Sequence, residues 1–429
     1  MSASKQVRDA RQGGERIQKL KKEEHNLKKI EHCGEGKNDG KSITEGSNAR
    51  KSRRKNQHRP SRESGENVDE KVTGAHKRSP PISEELLEAI SCDIENVEQA
   101  PKIVKEFGVC VIKNVADKSE VAEAVSLFWK WIRSTGLPIN KDDAGTMANS
   151  HWKKLGFART GVMTRYHVGQ SDFLWYCRQL PGVQKLFSEL WGTDELITSF
   201  DGCGAMRNPF FQTPSGKGRE DWCTSGGWYH LDQNGLADPG FELWQGLLNL
   251  FPATPLTGST VVVPQSHRQQ FTKIFRNRYH RKSTRAFVML NKPGDYEAYC
   301  ATNCQLRLDP GDFVIWDSRT VHCSQGMDRR YLDADTLKEN ATDLDRKIFD
   351  SSEPLSRLVA YVCMVPKKRL CDHDKCSALR IEAVKEGLTL SHHPIVRKLA
   401  IRSREAMASK STHRYKPPKG TSKAWDLVS

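Results

Sequence analysis

The feature that most constrains the fold of this chain is a change in the pattern of apolar and turn-forming residues near residue 196. From there the sequence consists of short apolar runs separated by Gly, Pro, Asp and Asn. Short runs of this kind, divided by turn-forming residues, are typical of an all-β sandwich or barrel. The candidate strands are Leu196–Phe200, Trp228–Leu231, Leu243–Phe251, Ser259–Val263, Gln305–Leu308, Asp312–Trp316 and Leu358–Val365.

The sequence before this region predicts helices and one strand. Ser83 is placed to cap a short helix, and Phe107–Ile112 forms a β-branched run that reads as a strand. Apolar residues recur at helical spacing over Ser119–Ile132, and residues 170–192 read as two helices divided at Pro181-Gly182. The expected fold class is therefore mostly β with flanking α-helices.

The net charge of +15 is concentrated at the two ends of the chain. Residues 1–80 hold 21 Lys or Arg against 12 Asp or Glu and have no Phe, Trp or Tyr, whereas residues 395–429 hold 9 basic residues against 2 acidic ones. A segment without aromatic residues buries too little apolar surface to offset the entropy of ordering. We therefore predict a disordered basic tail over 1–80, a folded domain over 81–394 with insertions near 271–302 and 327–353, and a basic tail over 395–429.

The location of the charge limits what it implies about partners. Basic tails can contact nucleic acid or an anionic surface, although a solvated tail is the favoured interpretation. The sequence has no run of about 18 apolar residues and no secretory signal, so no membrane insertion is expected. The 12 cysteines are irregularly spaced, which favours reduced thiols and an intracellular protein, cytoplasmic or nuclear.

The segment Gly227–Asp232 contains the first candidate site residues. His230 and Asp232 are two apart on a predicted strand, so their side chains are expected on the same face. Non-haem Fe(II) oxygenases bind iron with two histidines and one carboxylate and leave positions open. His322, which follows the predicted strand Asp312–Trp316, is the candidate for the third ligand.

Two other clusters contain potential ligands. Cys371, His373 and Cys376 offer zinc-binding side chains, but their spacing matches no usual zinc motif, so a polar loop is favoured. His392-His393-Pro394 is interpreted as a loop or helix boundary beside proline.

The order of these motifs resembles the phytanoyl-CoA dioxygenase (PhyH) family of Fe(II)- and 2-oxoglutarate-dependent oxygenases. The resemblance covers roughly residues 100–366 and rests on five segments. They are Trp228–Asp232, Thr257–His267, Pro310–Asp312, Val321–Ser324 and Ser356–Val359. The resemblance implies a double-stranded β-helix, a jelly roll of the cupin type. It also implies an iron centre at His230, Asp232 and His322, with 2-oxoglutarate and O₂ as co-substrates and ascorbate as a reductant.

The family also has an arginine on its last strand that binds the distal carboxylate of 2-oxoglutarate, and Arg357 stands at that position. Ser324 matches a family position that assists the same carboxylate, and Gln245 is a weaker candidate for cofactor binding. The interval from His322 to Arg357 is longer than the family usually has, so Arg329 and Arg330 are rivals. Arg357 is favoured because a strand holds a ligand more firmly than an inserted loop.

Three functions follow from this interpretation. The first is hydroxylation of a small-molecule or lipid-like substrate, with release of succinate and CO₂. The second is the same chemistry on a protein or nucleic acid, drawn in by the basic tails. The third is a catalytically silent jelly-roll binding module, which would have no need of a complete ligand set together with Arg357.

Overall fold

The structure is a computed structural model that describes residues 78–213, 217–235, 240–254, 256–277, 287–332, 353–370, 373–396 and 426–429. The α-helices are α1 Glu84–Ala89, α2 Ala100–Phe107, α3 Lys118–Ser134, α4 Asn149–Trp152, α5 Asp172–Gln179, α6 Pro181–Trp191, α7 Gln269–Asn277 and α8 His373–Lys385. The first seven strands are β1 Ser91–Asp93, β2 Val109–Lys113, β3 Gly156–Phe157, β4 Val162–Met163, β5 Leu196–Thr198, β6 Cys203–Arg207 and β7 His230–Leu231. The remaining strands are β8 Trp244–Asn249, β9 Gly258–Val262, β10 Val288–Met289, β11 Cys304–Gln305, β12 Phe313–Asp317, β13 His322–Gly326, β14 Leu355–Tyr361 and β15 Met364–Pro366.

Two sheets form the centre of the fold. The larger sheet has the strand order β1-β2-β12-β8-β14-β6-β4-β3, and the smaller one has the order β10-β7-β13-β9-β11. Apart from the parallel β1–β2 pair, neighbouring strands in both sheets are antiparallel. Apart from the β1–β2 and β3–β4 pairs, neighbours in the sheets are distant in sequence, as in a jelly roll. The fold is the expected double-stranded β-helix with flanking helices.

The alternation of side chains across each strand divides the apolar residues into layers. Leu247, Val314 and Val359 of the larger sheet pack with Val262 and Cys304 of the smaller sheet, which places this cluster between the two sheets. Alternate residues on the other face of the larger sheet pack under the helices, where the ring of Phe313 lies 5.8 Å from that of Phe187 on α6. Polar side chains of β7, β8, β9, β13 and β14 that point away from the outer faces therefore lie in the interior between the two sheets.

The predicted helices before the sheet are confirmed. The backbone N–H of Leu86 donates to the Ser83 hydroxyl at 3.2 Å, and the predicted pair around Pro181 appears as α5 and α6. The strand predicted over residues 358–365 is instead two strands, β14 and β15, in different sheets. Strand β6 was not predicted, because its sequence Cys-Gly-Ala-Met-Arg contains no β-branched residue.

Several predicted boundaries need correction. The fold starts before residue 81, because the Ser79 hydroxyl lies 2.9 Å from the Tyr229 hydroxyl. Residues 426–429 are not a free tail: Leu427 and Val428 are buried, and the Thr198 N–H donates to the Leu427 carbonyl. The other residues of the two predicted tails, apart from 78–80, 395 and 396, lie outside the described residues.

The stretch predicted as an insertion over 271–302 contributes in part to the fold itself. Its strand β10 pairs with β7, and Phe271 and Ile274 of α7 pack on the outer face of the smaller sheet. The expected polar loop at the cysteine cluster is also wrong in part, because α8 begins at His373 and buries Cys376. Of the predicted insertion 327–353, residues 333–352 lie outside the described residues. Among the described helices, none combines the length and apolar character needed to span a lipid bilayer.

Helix α3 is fixed at its start by a reciprocal cap, which gives a first testable prediction. The Asp117 carboxylate accepts from the backbone N–H of Glu120 at 2.8 Å, while the Glu120 carboxylate accepts from the Asp117 N–H at 2.9 Å. We expect Asp117→Ala to lower the free energy of unfolding by about 1 kcal/mol, because the backbone N–H groups of Ser119 and Glu120 both lose the Asp117 carboxylate as acceptor. Denaturant unfolding measures this, with Glu123→Ala on the same helix as a control that should change little.

A candidate metal centre between the sheets

His230 and His322 are brought together by the pairing of two short strands. His230 begins β7 and His322 begins β13, and the two residues are directly opposite each other in the antiparallel ladder. Their ring centroids are 4.2 Å apart. Asp232 follows β7 by one residue, and its side chain returns to the same face as His230. The sequence spacing of two and the strand pairing together bring three ligand groups to one place.

The distances within this group suit a single metal ion. The Nε2 atom of His230 lies 3.5 Å from Oδ1 of Asp232, and Nε2 of His322 lies 3.2 Å from Oδ2 of the same carboxylate. One ligand atom from each of the three residues lies within 4.8 Å of the others. No further group of three potential ligands occurs in the part of the chain that the structure describes.

Backbone carbonyls fix the protonation of both imidazoles. Nδ1 of His230 lies 3.0 Å from the Trp228 carbonyl oxygen, and Nδ1 of His322 lies 2.9 Å from that of Thr320. A carbonyl oxygen can only accept, so each Nδ1 carries the proton and each Nε2 presents a lone pair. Neutral imidazoles oriented in this way are ready to bind a metal ion.

The same arrangement is electrostatically incomplete without a cation. Two nitrogen lone pairs face a carboxylate, so a positive charge between them would relieve the repulsion. Burial, reinforced by the neighbouring His322, lowers the pKa of His230 to about 3, which keeps the ring neutral. The donor set therefore fits Fe(II) or a similar divalent ion, with coordination positions left open.

An aromatic ring holds His230 in place. The indole of Trp228 stacks on its imidazole, with ring centroids 3.9 Å apart and planes 10° from parallel. The indole N–H donates to the Ser324 hydroxyl at 3.1 Å, and that hydroxyl donates to the Thr160 carbonyl at 3.2 Å. Ser324 therefore lies between Trp228 and the Thr160 carbonyl, and its predicted contact with a carboxylate of 2-oxoglutarate stays a prediction.

Arg357 enters the same interior from β14. Its side chain is buried, one terminal nitrogen donates to the Thr260 hydroxyl at 2.8 Å, and its Nε has no hydrogen-bond partner among the described residues. A buried guanidinium with an unsatisfied donor is costly unless a ligand completes it. The planar carboxylate of 2-oxoglutarate is a suitable partner because the guanidinium offers donors in a fixed fork.

The two rival arginines lie in a different environment. The Arg329 side chain is 53% exposed and pairs with Glu220, and the Arg330 side chain is 74% exposed and pairs with Asp328. Exposed side chains that already have acidic partners are poor anchors for a buried cofactor. The structure therefore favours Arg357 over both.

Gln245 contributes further unsatisfied groups on the inner wall. It lies two residues before Leu247 on β8, so both face the space between the sheets. Within the part of the chain that the structure describes, both polar atoms of its buried amide lack a hydrogen-bond partner, as does the buried indole N–H of Trp316 on β12. Buried polar groups in proteins are usually paired. Their concentration beside the candidate metal centre fits a polar co-substrate.

The prediction from sequence missed residues that come from distant segments. Thr260 accepts the hydrogen bond from Arg357. Nothing in the sequence marked it as a site residue, because Thr is common on strands. Asp201 precedes β6 and is near His392 and Asp232, and burial raises the pKa of its carboxyl. His392 lies in a loop, as expected, but its Nδ1 is 3.9 Å from Oδ1 of Asp232. The two adjacent histidines at 392 and 393 marked this position in the sequence as a source of potential ligands. The sequence did not show that the loop would pass close to Asp232.

Comparison with known proteins gives the family. The model for Phytanoyl-CoA dioxygenase (PhyH) matches residues 104–328, more than half of the chain. The chain belongs to the phytanoyl-CoA dioxygenase family. It is thus a member of the Fe(II)- and 2-oxoglutarate-dependent oxygenases, a group of oxidoreductases. The matched region of this PhyH protein contains the whole candidate triad and ends before Arg357 and His392.

A curated relative and two solved structures resemble this PhyH protein. "Ava biosynthesis cluster protein O" of Aspergillus versicolor is 27% identical over 277 residues, which are 61% of this chain and 75% of the relative. The epimerase SnoN, solved with Fe3+, alpha ketoglutarate and nogalamycin RO, is 16% identical with a TM-score of 0.38 and covers 64% of this chain and 84% of its own. GlcNAc Inducible Gene 2 of Candida albicans is 11% identical with a TM-score of 0.46 and covers 80% of this chain and 86% of its own.

Proposed function

We propose that this protein is a dioxygenase that uses Fe(II) and 2-oxoglutarate to hydroxylate a small-molecule or lipid-like substrate. His230, Asp232 and His322 would hold the iron. The observation that carries the proposal is the meeting of two Nε2 lone pairs and one carboxylate within 4.8 Å, with both imidazoles oriented by backbone carbonyls. Two neutral histidines and one carboxylate form the ligand set of non-haem Fe(II) oxygenases.

Arg357 would bind the distal carboxylate of 2-oxoglutarate through its fork of N–H groups, with Thr260 holding one terminal nitrogen. The unpartnered groups of Gln245 and Trp316 would face the co-substrate from the inner wall. When bound, Fe(II) and 2-oxoglutarate together activate O₂, so that one oxygen atom oxidises 2-oxoglutarate to succinate and CO₂ and the other enters the substrate. The protein contributes a buried, preorganised polar site that positions the reactants and excludes water.

The substrate class rests on different grounds. The curated relative is named for a biosynthesis cluster, which supports a small-molecule substrate. The described interior is enclosed by two sheets, which suits a compact molecule better than a folded macromolecule. The basic segments that would draw in a nucleic acid lie outside the described residues. We assign the catalytic unit to the predicted domain over 81–394, extended by Ser79, which contacts Tyr229, and by the buried Leu427 and Val428.

The proposal is tested by titrating the full chain with Fe(II) and 2-oxoglutarate without oxygen. A weak visible absorbance band should appear only when both are present, because it arises from chelation of the metal by the co-substrate. On admission of O₂, slow succinate formation without added substrate should follow, and ascorbate should sustain it. If the chain binds neither Fe(II) nor 2-oxoglutarate, or binds both and forms no succinate above background, it is not an oxygenase. The alternative of a catalytically silent binding module would then be favoured. His373→Ala, which removes an exposed histidine, is the matched control.

A further inference from the structure

Residues 387–396, which we call the C-terminal strap, connect the end of α8 to the candidate metal centre. The strap is fastened on one side by hydrogen bonds from the Gly169 N–H to the Thr389 hydroxyl at 2.9 Å and from the Leu390 N–H to the Phe200 carbonyl at 2.7 Å. The imidazole of His393 fastens it on the other side, at 2.9 Å from the Glu242 carboxylate. The strap lies outside the region that the family model matches.

Between these fastenings the strap directs His392 at Asp232. Nδ1 of His392 is 3.9 Å from Oδ1 of Asp232, about 1 Å longer than a hydrogen bond, and both side chains are 14% exposed. His392 is not one of the three residues whose ligand atoms cluster within 4.8 Å. Its position is therefore next to the metal-binding group and not within it.

The chemistry of the three imidazoles around Asp232 separates their roles. His230 and His322 carry their protons on Nδ1, toward backbone carbonyls, and turn lone pairs toward the carboxylate. Lone pairs that bind the metal ion cannot also donate, so with the ion bound neither ring would supply a hydrogen bond to Asp232. His392 presents Nδ1 to the carboxylate, and a carboxylate selects a donor over a lone pair at such a distance. The Nε2 atom on the opposite side of the ring is buried without a partner in the described part of the chain.

We propose that His392 is a positioning residue of the metal centre, and that its Nδ1–H orients the Asp232 carboxylate. The inference rests on the proposed function, since it assumes that Asp232 is a metal ligand. A carboxylate that gives one oxygen to a metal ion is held in place by a hydrogen bond to the other oxygen, and loss of such a partner commonly weakens metal binding by about 10- to 100-fold. The strap thus adds to the site a residue that the jelly-roll strands do not supply.

Two conservative substitutions distinguish the two ring nitrogens. The side-chain amide nitrogen of Asn falls near the position of Nδ1 of a histidine, and that of Gln falls near Nε2. If His392 acts through Nδ1, His392→Asn should retain the function that His392→Gln and His392→Ala lose. If the ring only fills space in the strap, both amides should behave alike.

The experiment measures Mn(II) binding to the full chain by electron paramagnetic resonance, which reports free Mn(II) and requires neither turnover nor a known substrate. We expect His392→Ala and His392→Gln to raise the dissociation constant about 10-fold, and His392→Asn to remain within about 3-fold of wild type. His373→Ala, which removes an exposed histidine of α8 outside the strap, is the control and should stay near wild type. Thermal unfolding without metal verifies that all variants fold.

The possible failures are distinguishable. If Asp232→Asn abolishes Mn(II) binding while His392→Ala binds as wild type does, His392 has no positioning role and the proposed metal centre stands. If His392→Asn weakens binding as much as His392→Ala and His392→Gln, the ring only fills space in the strap, which also overturns the assignment. If Asp232→Asn binds Mn(II) as wild type does, the metal centre itself is wrong, and the inference fails with it.

Discussion

Replacing Asp232 by asparagine is expected to weaken Fe(II) binding by about 100-fold or more and to abolish succinate formation at ordinary iron concentrations. Loss of a hydrogen-bond partner of a metal ligand already costs about 10- to 100-fold, so the loss of a charged ligand should reach at least the upper end of that range. The substitution keeps the size of the side chain and removes the negative charge between two imidazole lone pairs. Anaerobic Fe(II) titration measures the affinity directly.

Asp201→Asn is the matched control for this prediction. It makes the same chemical change at a nearby carboxylate, and the asparagine oxygen can still accept the hydrogen bond that Asp201 receives from the Gly202 N–H at 2.7 Å. We expect its Fe(II) affinity to stay within a few-fold of wild type. Equal loss of affinity in both variants would mean that the general negative charge of the interior attracts the metal ion, and that Asp232 is not a specific ligand.

Replacing Arg357 by alanine is expected to raise the concentration of 2-oxoglutarate needed for half-maximal succinate formation by about 100-fold. Removal of one partner from a buried charge-assisted pair commonly costs 2 to 5 kcal/mol. Fe(II) binding should not change, because the three metal ligands remain. The separation of these two affinities distinguishes a missing cofactor anchor from a collapsed site. Arg357→Lys should recover only part of the loss, since an ammonium cannot match the two oxygens of a carboxylate.

Arg329→Ala is the control, because Arg329 was a rival on sequence grounds and has an exposed side chain paired with Glu220. It should leave the 2-oxoglutarate requirement unchanged. A second measurement follows from ligand linkage: excess 2-oxoglutarate with Mn(II) should raise the melting temperature of wild type and of Arg329→Ala, but much less that of Arg357→Ala. A larger effect of Arg329→Ala than of Arg357→Ala in either measurement would mean that Arg329, in the segment after β13, binds 2-oxoglutarate.

The sequence predicted the parts of this molecule that depend on local pattern. Alternation of residues placed His230 and Asp232 on one face, and helical spacing with a serine cap placed α1. These features follow from residues close together in the chain, where backbone geometry alone decides the outcome. The pairing of His322 with His230 needed the family resemblance, because no local rule states which strands become neighbours in a sheet.

What the sequence could not predict depends on contacts between distant segments. The course of residues 387–396 is set by hydrogen bonds to residues near 169 and 200 and to Glu242, more than 150 positions away. The partner of Ser324 is similar: a hydroxyl can donate to many acceptors, and only the fold determines that it reaches the Thr160 carbonyl. Side chains with one proton and several potential partners are poorly predicted by family position alone.

The irregular start of β14 has a consequence for sequence comparison. Leu355 lies opposite Arg207 and Arg357 lies opposite Met206, so two steps on β14 correspond to one step on β6. This extra residue allows Leu355 to pack under the helices although Arg357, two positions later, faces the interior. Homologous chains that lack the bulge would be one residue shorter here and still direct the arginine inward. An alignment that permits no gap between Leu355 and Leu358 would therefore shift the arginine by one column and report it as missing where it is present.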